Sequence, residues 1–294
     1  MNPTQINKPA QVTSSRELGL DLAAVAARYL FGTDHLHYGL WTEGLPVHMN
    51  NLHKAQENYV ELLLSTIPDG TRSILDVGTG TGALAKRLLD NGFSVDCVSP
   101  SPYLTERARA NVGDRAQIFE CKYEDLETDK RYDLVLFSES FQYIPMDSSL
   151  ALSQKLLNPG GHILICDFFR NETPDKGPFG GGFQLHDFRA RLAQTPLTTL
   201  VDRDITPLTA PNLDLVADVN DQVIAPMKAQ LFEFARIKYP FWYRVLTKAF
   251  RKQLTHFDTK YMGGKRSGKN FLVYKSYRLL LLAKDAAPRS AEAT

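Results

Sequence analysis

Leu75-Asp76-Val77-Gly78-Thr79-Gly80-Thr81-Gly82 decides how this chain is read. An apolar run, Ser73–Val77, passes straight into three glycines at alternate positions, and a helical pattern opens at Ala83. Glycines there allow a tight turn and let backbone amides approach a ligand with no Cβ in the way. The spacing Gly78-x-Gly80-x-x-Ala83 also satisfies the dinucleotide fingerprint, so the loop by itself points only to a nucleotide-like ligand. Asp76 narrows the choice. A carboxylate just ahead of the first glycine repels a pyrophosphate and attracts a ligand that carries an ammonium and a sulfonium.

Outward from the loop, short apolar or β-branched runs alternate with helical patterns. Strands are expected over Ser94–Val98, Ala116–Cys121, Tyr132–Ser138 and Gly161–Phe168, and helices near Ala83–Asn91, Ser101–Asn111 and Ser148–Leu157. Nearly all-apolar strands alternating with helices imply a doubly wound, mostly parallel α/β sheet, with its ligand crevice beyond the carboxyl ends of the strands. Upstream, helical spacing covers Glu17–Leu30 and Asn51–Ile67, the latter ending at the turn Pro68-Asp69-Gly70. Beyond Arg170 come a loop containing Gly180-Gly181-Gly182, a helix at Leu185–Ala193 and a strand at Leu197–Asp204. Amphipathic helices near Leu213–Lys238 and Phe241–His256 and a terminal strand, Phe271–Leu282, complete the pattern. The two late strands are expected to pair as an antiparallel edge. The organisation read from this is an N-terminal tail and helical lid (1–50), a cofactor-binding core (51–170), and cap helices with the final strands (171–294).

Composition excludes several classes. With 34 basic and 33 acidic residues the formal charge is +1, which gives no electrostatic reason to expect nucleic acid as a partner. Cys97, Cys121 and Cys166 form no C-x-x-C pair, so no metal site and no disulfide framework is expected. Reduced, buried thiols fit a cytoplasmic protein. The polar stretch Met1–Glu17 lacks the apolar core of a signal peptide, and no apolar run approaches the ~18–20 residues that cross a bilayer. A soluble protein is expected.

Three blocks in order make the signal specific. Leu75–Gly82, Tyr132-Asp133-Leu134-Val135 and Leu156-Leu157-Asn158-Pro159-Gly160-Gly161 resemble the first motif, the fourth-strand entry and the Pro-Gly-Gly turn of the class I S-adenosylmethionine-dependent methyltransferases. That resemblance implies a seven-stranded Rossmann-like sheet with a helical cap. It also implies S-adenosylmethionine as cofactor, with Asp76, Gly78, Thr79, Gly80 and Gly82 around its methionine half. Two positions depart from the family. The acid that usually ends the second strand and holds the ribose is Ser99 here, followed by Pro100, while alternation turns Asp96 to the other face. Lys122 stands where an acid often meets the adenine, so the Tyr123 backbone and Glu124 or Asp125 are expected to take that edge. A non-acidic second-strand end also suits a ribose 2′-phosphate, which keeps an NADP-binding oxidoreductase as an alternative, beside a non-catalytic S-adenosylmethionine-binding protein.

The acceptor should lie above the fourth and fifth strand ends. Ser138 is assigned to the cofactor side, and Glu139, Gln142 and Tyr143 to the acceptor wall. His37-Tyr38-Gly39-Leu40-Trp41 resembles the lid segment of lipid- and quinone-modifying members, which implies that Tyr38 reaches the cofactor carboxylate. His186 is the expected general base for an oxygen acceptor. Bulky residues such as Met227, Phe232 and Trp242, interleaved with basic ones, suit an apolar lid and contact with an anionic substrate or a membrane surface. The reading is methyl transfer by in-line displacement to a small, apolar or amphipathic acceptor, with oxygen favoured over carbon or nitrogen.

Overall fold

Alternation along β1 (Ser73–Val77) sends Leu75 and Val77 into one layer of core and Ile74 into the other. In this computed structural model, which describes residues 32–175, 177–257 and 264–284, every central strand repeats that division. On β4 (Tyr132–Ser138), Val135 and Phe137 join Leu75, while Leu134 and Leu136 join Ile74. Helices cover both faces. Tyr59 and Leu63 of α1 (Leu52–Thr66) and Leu84 and Leu88 of α2 (Ala83–Asp90) close one layer. Behind β2 (Ser94–Val98) runs α3 (Pro102–Val112), started by the Ser101 cap, whose side chain accepts from Leu104 N at 3.3 Å. Leu150 of α4 (Met146–Leu156) and Phe188 of α5 (Leu185–Leu192) close the other layer.

With β3 (Ile118–Phe119), β5 (Leu157–Arg170), β6 (Leu197–Asp204) and β7 (Lys275–Lys284), the seven strands run in the order β3-β2-β1-β4-β5-β7-β6. The first five are parallel, and β7 lies antiparallel to both β5 and β6. The doubly wound, mostly parallel sheet and its antiparallel edge are therefore as expected.

Three expectations need correction. The third strand is two residues rather than six, because it is an edge that pairs only with Cys97 and Val98 of β2. Phe271–Tyr274 is helical, not strand. Ser267 caps α11 (Gly268–Tyr274), and Phe271 is buried while Leu272 and Val273 face solvent, a one-sided pattern that a central strand does not show. A short α6 (Thr206–Thr209) precedes the two long late helices, which are broken into α7 (Pro211–Val219) and α8 (Ala225–Lys238), and α9 (Pro240–Ala249) and α10 (Arg251–Phe257). Pro211 and Pro240 start helices, where a missing N–H costs nothing. Pro226 cannot donate to the carbonyl four residues back, and a π turn, Asn220–Ile224, precedes it. The helix expected at Glu17–Leu30 lies outside the described residues.

Candidate active site

The glycine loop leaves β1 at the edge of a cavity of about 450 Å³, beyond the carboxyl ends of β1, β2 and β4. Asp76, Gly78, Thr79 and Gly80 line it. Asp76 is 1% exposed, and its Oδ2 accepts from Thr79 Oγ1 at 2.6 Å. Burial pushes its carboxyl up to about 6, partly offset by that hydroxyl. A carboxylate so placed is short of positive charge, which suits a cationic ligand head and opposes a phosphate chain. The loop amides do less than expected: those of Gly78 and Thr79 donate to Val98 O, and that of Gly82 to Thr79 O.

The glycines serve different ends. A Cβ on Gly78 would lie 2.5 Å from Ser140 Cβ, so this residue lets the loop after β4 close against the first loop. Gly82 does not line the cavity, contrary to its expected place at the cofactor. A Cβ there would meet Ala108 Cα at 2.8 Å, so Gly82 is a packing residue between α2 and α3. On Gly80 a Cβ would meet only Leu36 Cδ1, at 3.9 Å, across the cavity.

Ser99 and Pro100, the residues expected at the cofactor, line the cavity at the end of β2 together with Ser101. Asp96 points away, accepting from Lys130 Nζ at 2.7 Å and from the Tyr132 hydroxyl at 2.9 Å. Of the acids after β3, Glu124 lines the cavity with Lys122 and Tyr123, and Asp125 does not. The Tyr123 side chain turns into the core to Ser153 Oγ at 2.9 Å, which leaves its backbone to the cavity wall.

At the end of β4 the wall is Ser138, Glu139, Ser140 and Tyr143. Glu139 has φ 55°, and no other non-glycine among the described residues has a positive φ. Such left-handed backbone costs energy and collects at functional positions. Its Oε1 accepts from the Tyr38 amide at 2.6 Å and from the Tyr277 hydroxyl at 2.7 Å. Burial nevertheless pushes the Glu139 carboxyl up to about 8. The same burial raises Asp167, on β5, to about 7.

His35, Leu36 and His37 line the cavity, and Tyr38, expected to reach the cofactor carboxylate, does not. The Tyr38 ring lies instead among Phe168, Phe271 and Tyr277, and only its amide serves the site, through Glu139. His37 Nδ1 faces the Tyr38 carbonyl at 2.9 Å and must donate to it, so Nε2 accepts from His35 Nδ1 at 3.1 Å. Burial lowers His37 to about 3, so its ring is neutral at physiological pH, and burial also lowers His35, against the pull of Glu57 at 3.5 Å from its Nε2. The alternation of His35 and His37 beside Tyr59, on which His37 stacks at 4.2 Å, is the sequence signal that went unused.

Two further candidates stand elsewhere. Gln142 donates from its amide and from Nε2 to Asp167, and its Oε1 is packed against Gly181, so it braces β5 and does not line the cavity. His186 heads α5 with its side chain 54% exposed, between Glu172 at 2.8 Å and Asp187 at 2.9 Å. It does not line the cavity. Its position at the start of α5 points it to solvent. Among the described residues, no group of three His, Cys, Asp or Glu side chains is placed to hold a metal ion.

Residues 51–197 match the family described as a methyltransferase domain. An uncharacterised methyltransferase of Geobacillus kaustophilus is 31% identical over 110 residues, which is 36% of this chain and 51% of that protein. Another, from Mycobacterium bovis, is 28% identical over 106 residues, 36% of this chain and 44% of its own length. The chain thus spans about half the length of the curated relatives it matches. Among solved structures, the StiE O-MT domain superposes with TM-score 0.60 at 19% identity, covering 94% of this chain and 93% of that one. The cyclase SpnF gives 0.68 at 16%, covering 92% and 94%. A geranyl diphosphate C-methyltransferase from Streptomyces coelicolor A3(2) gives 0.63 at 16%, covering 92% and 99%. Such identities speak for the fold and not for the reaction. From the glycine loop, the sheet order and the matched region together, the chain belongs to the methyltransferase-domain family, in its class I, S-adenosylmethionine-dependent branch.

Proposed function

We propose that the protein transfers a methyl group from S-adenosylmethionine to a small, apolar or amphipathic organic acceptor, at oxygen in preference to carbon or nitrogen. Glu139 is the observation that carries this reading: a carboxyl on the cavity wall, held in left-handed backbone, anchored by two donors and raised to about 8. When bound, S-adenosylmethionine supplies a methyl group already activated on a sulfonium sulfur. Asp76 holds the cationic amino end. Ser99 offers a ribose hydroxyl one neutral hydrogen bond, weaker than the usual charge-assisted pair. The Tyr123 backbone and Glu124 hold the adenine edge. Leu36, Leu104 and Ile144 give the cavity apolar walls that keep water from the acceptor.

Glu139 takes the acceptor hydroxyl proton as the carbon–oxygen bond forms. Burial that raises its carboxyl to about 8 favours the protonated form, and positive charge in the cavity favours the ionised form that can accept a proton. All three cysteines are free thiols, which supports a reducing, cytoplasmic setting. Titration calorimetry with S-adenosylmethionine and with NADPH tests the cofactor, and S-adenosylhomocysteine release with a library of hydroxylated apolar acceptors tests the reaction. Saturable S-adenosylmethionine binding with turnover is expected. Tight NADPH binding with no response to S-adenosylmethionine would end the reading, and binding without turnover on any acceptor would leave a non-catalytic binding protein.

A further inference from the structure

Exposed apolar side chains crowd into the insertion between β6 and β7. Met227, Leu231 and Phe234 on α8, and Phe241, Trp242 and Leu246 on α9, are each 51–68% exposed, and neither helix buries a single residue. Met227, Leu231 and Phe234 recur at helical spacing, so they form one face. On α9, Trp242 and Leu246 share one side, while Arg244 and Lys248 fall on the other, with Phe241 between them. Over residues 225–252 basic side chains outnumber acidic ones seven to one. The one acid, Glu233, is already engaged by Arg236 at 2.6 Å.

We propose that this arm docks on an anionic phospholipid surface. Helices with exposed apolar and aromatic side chains on one side and lysine and arginine on the other fit the boundary between headgroups and acyl chains, where the apolar groups enter and the long basic side chains reach lipid phosphate. No described helix is long and apolar enough to cross a membrane, so the arm lies on the surface. Charge also argues against a second copy of the chain as the occupant, because a symmetric contact would press two strongly basic arms together. The insertion that carries the arm leaves the sheet after Asp204, which pairs with Arg278 on β7, itself paired with Asp167 on β5, and α6 and α7 stand between that point and the arm. That is the carboxyl end of the parallel strands, the end at which the cavity opens. Docking would hold the protein at the bilayer surface. The docking itself is independent of the methyl-transfer reading.

Sedimentation of the full chain with vesicles tests the proposal. Binding is expected to phosphatidylcholine vesicles containing phosphatidylglycerol and not to phosphatidylcholine alone, and to weaken as salt rises. Arg244→Gln with Lys248→Gln should weaken it about 25-fold, on the order of fivefold for each charge. Trp242 emission should shift to the blue on binding. Trp41, the other tryptophan, is 4% exposed and should not respond, so Trp242→Phe should lose the shift. The arm variants should keep the parent melting temperature and S-adenosylmethionine affinity, which separates a failure here from a failure of the active-site reading. Equal binding to neutral vesicles, no binding to either, or a dimer that Phe241→Ser disperses would overturn the proposal.

Discussion

Phe137 and Phe234 are the same residue in opposite circumstances: the first, on β4, is fully buried, and the second, on α8, is 60% exposed. The parallel half of the sheet commits every apolar side chain to one of two layers and brings its strand ends to one cavity. The arm follows an equally apolar pattern yet commits nothing to a core. Helical amphipathicity therefore says only that a face seeks cover, and the sheet does not provide it here. Stability and chemistry should reside in one half and surface contact in the other.

The largest effect should come from the strand end. Glu139→Gln is expected to lower kcat by about 10²- to 10⁴-fold and to remove the rise of rate with pH, while S-adenosylmethionine affinity stays near that of the parent. Parent-like turnover would take Glu139 out of the chemistry. Next, Phe137→Ala should cost about 3–5 kcal/mol in urea unfolding, through the cavity it leaves. Gly82→Val comes third, at about 2–3 kcal/mol, because its Cβ meets the Ala108 backbone. Gly80→Arg, two residues earlier, should fill the cavity and abolish cofactor binding at a cost of only about 1–2 kcal/mol. If the two glycine variants exchanged phenotypes, the division between packing and binding glycines would fail.

The pH dependence of stability is a smaller effect with a definite sign. Glu139 and Asp167 have folded-state values raised by burial, so their folded forms hold protons that the unfolded chain releases, and stability falls as pH rises toward about 8 and 7. His35 and His37 are lowered, so their contribution grows with pH up to their ordinary 6.5 and then levels. Lys275, lowered to about 8, contributes rising stability only above that point. Melting temperature should therefore decline between pH 6.5 and 8, and Glu139→Gln should flatten the decline. Smallest of all, Phe234→Ala should change stability by less than about 0.5 kcal/mol, and His186→Ala should leave turnover unchanged. A large loss from Phe234→Ala would place the arm in the core.

Legibility followed the same division. Strands β1, β2, β4 and β6 were read to the residue, since their boundaries coincide with glycine, proline or charged turns. Tyr123, Glu124 and Ser99 fell on the cavity because loops beyond parallel strands have few places to go. What remained hidden was lateral. Nothing in the segment around Tyr38 says which of its rings turns inward, and only the Phe168–Phe271–Tyr277 cluster, assembled from distant positions, decides it. Gly82 looked like Gly78 until α3 supplied Ala108. His186 was judged by its type, and the solvent-facing start of α5 settled its place.

The position of β7 between β5 and β6 carries a consequence for biosynthesis. Strand β6 leaves the ribosome about seventy residues before its partner, several seconds at about 5–20 residues per second, and for that interval it has no neighbour to pair with. An orphan strand invites pairing with another nascent chain. Asp202, Arg203 and Asp204, near its end, are the kind of charges that discourage such encounters until Arg278 arrives to bind the two aspartates.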